Sequence, residues 1–225
     1  MKKISVKNII AFRSKPEKNQ KAFLNNLDKD KGANPEGGGD YWVRSLSALS
    51  AAVKEKSAEP VKKKISDISN DFVPALTKQT KDMYTRNLSV LHNYENFDFE
   101  NWLPTDYEVL NKTSKKAIIE IDDIPVQITP SQVFSFEEED KRYVGAVWFL
   151  AKLKNFKKPE LGVFAEVLHI YLDSNFEKDY WISPKNCLVV DVLSMEEINY
   201  QMLLDGEITS LLRETLQNIK EANKG

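Results

Sequence analysis

One cysteine and two histidines in 225 residues leave little room for thiol or soft-metal chemistry. A lone Cys187 cannot form an intrachain disulfide, and with only His92 and His169 beside it a Cys/His zinc site is excluded. No window approaches the roughly 18 uncharged apolar residues that a membrane span needs. The opening Met1-Lys2-Lys3-Ile4-Ser5-Val6-Lys7 lacks the apolar core of a signal peptide. A cytoplasmic protein with no membrane partner is expected. There is no Gly-x-Ser-x-Gly elbow, no Walker Gly-Lys-Ser/Thr, no internal repeat and no low-complexity tract. What is present is 41% hydrophobic and 29% charged side chains, enough to bury a sizeable core in one or two compact units.

The net charge of -2 hides an uneven distribution. Residues 1–94 carry 18 Lys+Arg against 10 Asp+Glu, giving +8, and residues 95–225 carry 14 against 24, giving -10. A basic half followed by an acidic half reads either as two sides of one internal interface or as a basic face for a polyanion. We read 1–94 as a basic helical region and 95–225 as an acidic α/β sheet region, together forming one cooperating body.

The basic half has helical periodicity. Ser14 suits an N-cap with Pro16 in the first turn, placing Phe23, Leu24 and Leu27 inward and Lys15, Lys18 and Lys21 outward. A glycine-rich loop, Ala33 to Asp40, precedes a helix carrying Trp42, Leu46, Leu49 and Val53. A third helix follows Pro60, with Ile65, Ile68 and Phe72 inward and Lys62-Lys63-Lys64 at its start. Pro74 opens a fourth through Leu76, Met83, Leu88 and Leu91. These four predict a small bundle or cap. The segment Asn93 to Pro104 alternates polar and aromatic residues, as expected of an ordered crossing packed on a sheet.

Beyond it the period becomes strand-like. Ala117–Ile121, extendable through Ile124–Ile128, and Gln132–Phe136 predict two strands. The charged run Glu137 to Arg142 predicts a solvated hairpin tip, and Tyr143–Leu153 is the most apolar strand in the chain. Pro159 begins a helix with Leu161, Phe164, Leu168, Tyr171 and Leu172 on one face; Cys187–Val192 is a buried strand, and Ile208–Ala222 a closing helix. A helix linking two strands implies a crossover and mixed pairing. The expected fold is α+β: an N-terminal helical half packed on a mixed sheet of order α-β-β-β-α-β, with a C-terminal helix.

Over Asn93 to Val192 this order resembles the restriction-endonuclease-like core, the PD-(D/E)XK superfamily. In that family an acid on the second strand and an acid-x-lysine on the third hold magnesium and activate water for phosphodiester cleavage. Carried onto this chain, the third-strand motif falls at Leu150-Ala151-Lys152 and the second-strand Pro-Asp at Pro130-Ser131. Lys152 matches; both acids are missing, and leucine cannot ligate a hard cation. The resemblance therefore implies a catalytically degenerate member with no cofactor that still binds DNA or RNA, in a bacterial defence or DNA-repair setting. The alternative is an active Mg²⁺-dependent nuclease with a shifted site at Asp122, Asp123 and Lys152, with Glu120 and Asp191 as further acids.

Other constellations carry less. Asp122-Asp123 also suits a turn, since neighbours on a strand point to opposite faces. A Cys187–His169 nucleophile pair has no support in the spacing, and inert packing is the plainer reading. Asp40 would repel an anion from the glycine loop. Tyr41, Trp42 and Arg44 are an aromatic and basic mix able to stack a base. The residues expected to contact nucleic acid, or an acidic protein partner, are Lys15, Lys18, Lys21, Lys62, Lys63 and Lys64. A structural subunit of a larger assembly, or a homo-oligomer, stands as the remaining alternative.

Overall fold

The structure, a computed structural model, describes residues 3–28, 41–73, 76–110 and 117–224. In chain order these form β1 (Ile4–Ser5), α1 (Val6–Arg13), α2 (Glu17–Asp28), α3 (Val43–Glu55), α4 (Glu59–Asp71) and α5 (Lys78–Tyr94). A 3-10 turn (Phe99–Asn101) leads to β2 (Tyr107–Val109), β3 (Ile118–Ile121), β4 (Ile124–Gln127), β5 (Gln132–Glu138) and β6 (Lys141–Leu150). Then come α6 (Lys158–Phe176), β7 (Trp181–Asp191), β8 (Glu196–Asn199), α7 (Tyr200–Leu204) and α8 (Leu212–Lys224). The predicted glycine loop Ala33–Asp40 and the helix start at Pro74 lie outside the described residues.

The apolar runs around Val147 and Val189 make the middle of a five-stranded sheet of order β2-β5-β6-β7-β8. β5 and β6 pair antiparallel, and β6 and β7 pair parallel through the α6 crossover. Both faces are covered, which is why these strands are apolar without alternation. On one face Val144, Ala146, Trp148, Leu150, Cys187 and Val189 pack with α1, α2, α6 and α8. On the other, Val147, Phe149, Ala151, Leu188, Val190 and Val192 pack with α3, α4 and α5. The fold is α+β with N-terminal helices, mixed sheets and a C-terminal helix; between α5 and α6 the chain runs β2-β3-β4-β5-β6, of which β2, β5 and β6 belong to the five-stranded sheet.

Two strand assignments differ from the sequence reading. The first strand of the main sheet is the three-residue β2, paired Tyr107↔Phe136, whereas Ile118–Gln127 folds as the hairpin β3–β4 in a separate sheet of order β1-β4-β3. A strand signal in sequence reports extended, half-buried backbone and not its partner. Both two-residue hairpin turns, Asp122-Asp123 and Glu139-Asp140, adopt positive φ (48°, 58°, 49° and 59°), the mirror-image turn that matches strand twist.

The helical half is not a bundle of its own. α1, which the sequence reading missed, buries Val6, Ile9, Ile10 and Phe12, and with α2 it joins the C-terminal helices. Ser14 closes α1 instead of opening α2: its N–H donates to the Ile10 carbonyl at 3.2 Å and its hydroxyl to Ala11 at 2.8 Å. On the opposite face Asn87 stitches α3 to α5, accepting from Ser45 N at 2.9 Å and donating to Tyr41 O at 2.7 Å. Phe72, expected inward, ends α4 and is 41% exposed. The aromatic crossing packs on the sheet as expected, with Trp102 5.7 Å from Phe149 between ring centroids.

Candidate functional site

The end of the sheet where β6 and β7 both stop brings Lys152 and Asp191, two of the positions singled out by their chemistry, to one region. Leu150 lies opposite Asp191 across the parallel pair. β6 ends at Leu150, and Lys152 follows the buried Ala151 outside the strand, whereas the sequence reading extends the strand to Leu153. The Lys152 ammonium sits 3.4 Å from a Glu160 oxygen and 5.0 Å from the centroid of the Phe156 ring. Glu160 also accepts the Lys157 backbone N–H at 3.0 Å, the reciprocal half of a capping box at the start of α6.

Asp191 is fully buried, and both its oxygens are engaged by backbone. Oδ2 accepts from Phe156 N at 2.9 Å and Oδ1 from Leu193 N at 3.2 Å. Buried charge persists only when it is hydrogen-bonded in this way. The carboxylate therefore acts as a pin: it ties the 151–157 loop and the residues after β7 to the end of the sheet. Tyr94 is buried on the α5 side, and its hydroxyl has no hydrogen-bond partner among the described residues. Burial, then the charges of Asp191 and Glu197, push the phenol pKa far up, so it stays neutral.

Ser131 accepts a hydrogen bond from Phe149 N at 2.9 Å. Ser50 of α3 donates to the Ser131 carbonyl at 3.1 Å, and Gln132 Nε2 donates to the Ser50 hydroxyl at 2.9 Å. At this end of the sheet Ser50, Ser131 and Gln132 hydrogen-bond among themselves, Leu150 is buried, and Asp191 is turned into the loop. These residues do not fit a hard divalent ion. Among the described residues no cluster of three or more His, Cys, Asp or Glu has the geometry to hold a metal.

Asp122 and Asp123 do not join Lys152. They occupy the β3–β4 turn, where Asp122 pairs with Arg213 and Asp123 with Lys220 at 3.0 Å, both on α8. The shifted site of Asp122, Asp123 and Lys152 is therefore replaced by two separate sets of ion pairs. Sequence reasoning missed Glu160 as the Lys152 partner; the signal available was a glutamate in the first turn after Pro159, three residues beyond Lys157.

The predicted contact lysines divide between the two faces of the sheet. Lys15 lies just before α2 and Lys18 and Lys21 lie on it; all three are exposed, and the Lys15 ammonium is 5.7 Å from the Phe23 ring. Lys62, Lys63 and Lys64 lie on α4, in the opposite layer, with Lys62 paired to Glu59 at 3.3 Å and Lys64 to Asp67 at 3.4 Å. Such exposed pairs contribute about 0.5 kcal/mol or less. The base-stacking trio is engaged internally: Trp42 is 6% exposed, and Arg44 pairs with Asp71 at 2.7 Å and lies 4.7 Å over Tyr84.

Cys187 is fully buried in β7, and burial raises its thiol pKa far above the ordinary value. His169 stacks on Tyr200, centroids 4.2 Å apart; burial lowers its pKa, opposed by Asp173. Glu166, nearby on α6, accepts from the Ser210 hydroxyl at 2.6 Å. No helix among the described residues is long and apolar enough to cross a membrane.

Comparison with known proteins returns no match: no family model, no curated protein and no solved structure aligns with this chain.

Proposed function

We propose that the protein is a non-catalytic binding or accessory protein on a nuclease-like core, which contacts nucleic acid through surface lysines. The observation that carries this reading is the composition of one sheet end. Lys152 stands there with buried Leu150 beside it, and the carboxylate opposite Leu150 in the sheet, Asp191, has both oxygens on backbone amides. A phosphodiester-cleaving centre needs exposed oxygen donors at that place. Lysines without them can neutralise phosphate but do not activate water. With the β3–β4 hairpin of the second sheet set aside, α5, β2, β5, β6, α6 and β7 run α-β-β-β-α-β, which supports the nuclease-like frame.

The test is a gel-shift series on labelled DNA and RNA across ionic strength. Complex formation that falls steeply with salt is expected, because each phosphate contact releases counterions. Absent or salt-insensitive binding overturns the reading and leaves an acidic protein partner or a structural role in an assembly. Plasmid incubated with Mg²⁺ or Mn²⁺ should stay intact; cleavage lost in Lys152→Ala would mark a metal-dependent nuclease instead.

A further inference from the structure

From the loop joining β6 to α6 we infer that the nucleic-acid backbone is held there, at Lys152-Leu153-Lys154-Asn155-Phe156-Lys157-Lys158, and not on the lysine faces of α2 and α4. This rests on the nucleic-acid reading above and gives it a place.

Charge comes first. The seven residues carry four lysines and no acid, in the half of the chain whose balance is -10 by 14 Lys+Arg against 24 Asp+Glu. Lys152 and Lys158 have carboxylate partners, Glu160 at 3.4 Å and Glu196 at 3.1 Å. Lys154 and Lys157 are exposed and form no ion pair among the described residues. They are two ammonium groups held close along the chain, open to an anion.

Rigidity comes second. Asn155, at φ 41°, donates its N–H to the Lys152 carbonyl at 3.0 Å and closes a turn. The next residue, Phe156, is fixed three ways: its amide on buried Asp191, its ring edge-on to Phe164 at 5.6 Å, and the Lys152 ammonium over its face. A loop already ordered before contact loses little conformational freedom on binding. By contrast Lys62 and Lys64 are neutralised within their own helix, and Lys15, Lys18 and Lys21 face the other side of the molecule from them.

The chemistry at the tip sets the kind of contact. The large apolar side chain that the loop offers to solvent is Leu153, 63% exposed, and the loop's aromatic ring is turned inward on Phe164. Bases are read by stacking on exposed aromatic faces and by hydrogen bonds to their edges. Lysines alone bind phosphate as point charges. The loop therefore takes the phosphate backbone without preference for sequence.

The experiment measures affinity of the full chain for a mixed-sequence labelled duplex and its single strand over a salt series, with polyglutamate as a non-nucleic polyanion. Lys154→Glu/Lys157→Glu should weaken binding at least tenfold; the slope of log affinity against log salt should fall by about 2, near 0.9 per phosphate contact on duplex. Lys154→Gln/Lys157→Gln should lose less, and Lys18→Glu/Lys63→Glu should stay within about twofold. Unchanged thermal melting of each variant excludes misfolding. Full binding by the loop variant overturns the inference and leaves the functional reading intact; so does loss confined to Lys18→Glu/Lys63→Glu. No binding of either nucleic acid by the native chain overturns both, and binding of polyglutamate alone assigns the loop to an acidic protein.

Discussion

At the end of the sheet where β6 stops, Lys154 and Lys157 stand on a pinned loop with no carboxylate paired to them among the described residues. At the end where β6 starts, Lys141 and Arg142 follow the acidic turn Glu139-Asp140 and, though exposed, are engaged by neighbours. The Lys141 ammonium lies 5.7 Å from the Trp181 ring, and Arg142 lies 4.9 Å over Tyr180 and 3.9 Å from Glu137. The same cationic residue types are satisfied at one end and left available at the other. Trp181 is 64% exposed, yet the acids Glu137, Glu138, Glu139, Asp140, Glu177 and Asp179 surround that corner in sequence or in space. An exposed ring beside a basic residue is thus a weaker sign of a nucleic-acid surface than cations that nothing nearby neutralises.

The comparison breaks most directly at Asp191. Asp191→Ala leaves the Phe156 and Leu193 amides without their acceptor and should cost roughly 3 kcal/mol, read by urea denaturation. Faster hydrogen exchange should appear at Phe156. If stability and exchange are unchanged, the loop is not held as described and the contrast between the two ends loses its basis.

Between the ends, the β6–β7 register jumps from Val144↔Ile182 to Ala146↔Cys187, with Gly145 at the step. A Cβ there would meet the Asn186 Cβ at 2.6 Å and both the Asn186 carbonyl and Phe134 ring at 2.9 Å. Gly145→Ala should cost about 2 kcal/mol by overpacking, measured as a lower melting midpoint. Trp181→Ala sharpens the contrast from the other side. It should move stability by no more than about 0.5 kcal/mol and leave nucleic-acid affinity as it was. A large affinity loss would shift the contact surface to the acidic corner.

The smallest effect is on pH dependence. Burial lowers the His169 pKa in the fold, against the pull of Asp173, so the unfolded chain takes up the proton more readily as pH drops. The stability from this group is fully present above its ordinary value of 6.5 and is lost as pH falls through and below it. His169→Gln should flatten that segment of the stability profile, with the melting curve above pH 7 as the reference.

Much of this arrangement is legible in the amino-acid sequence because burial leaves a pattern. The runs around Val147 and Val189 gave β6 and β7, and the inward face of Leu161, Phe164, Leu168, Tyr171 and Leu172 gave α6. The three-residue β2 is too short to carry a periodic signal, and the hairpin Ile118–Gln127 reads as strand without saying which sheet it joins. At the candidate site Lys152 was visible as a lysine on an apolar strand, and Asp191 as the one acid in an apolar run. Their roles were not, since the Glu160 pairing and the Phe156 and Leu193 amides depend on how a loop folds back. Where the six lysines lie relative to one another was not legible either: helical periodicity assigns an outward face to each helix but does not say on which side of the sheet the helix lies.

The sole thiol of the chain sits at 0% exposure in the middle of β7, its ionisation suppressed by burial. Reagents that attack thiolates can reach it only when that strand separates from its neighbours. The native sequence accordingly carries a single built-in chemical reporter whose rate of modification measures how often the central strands part.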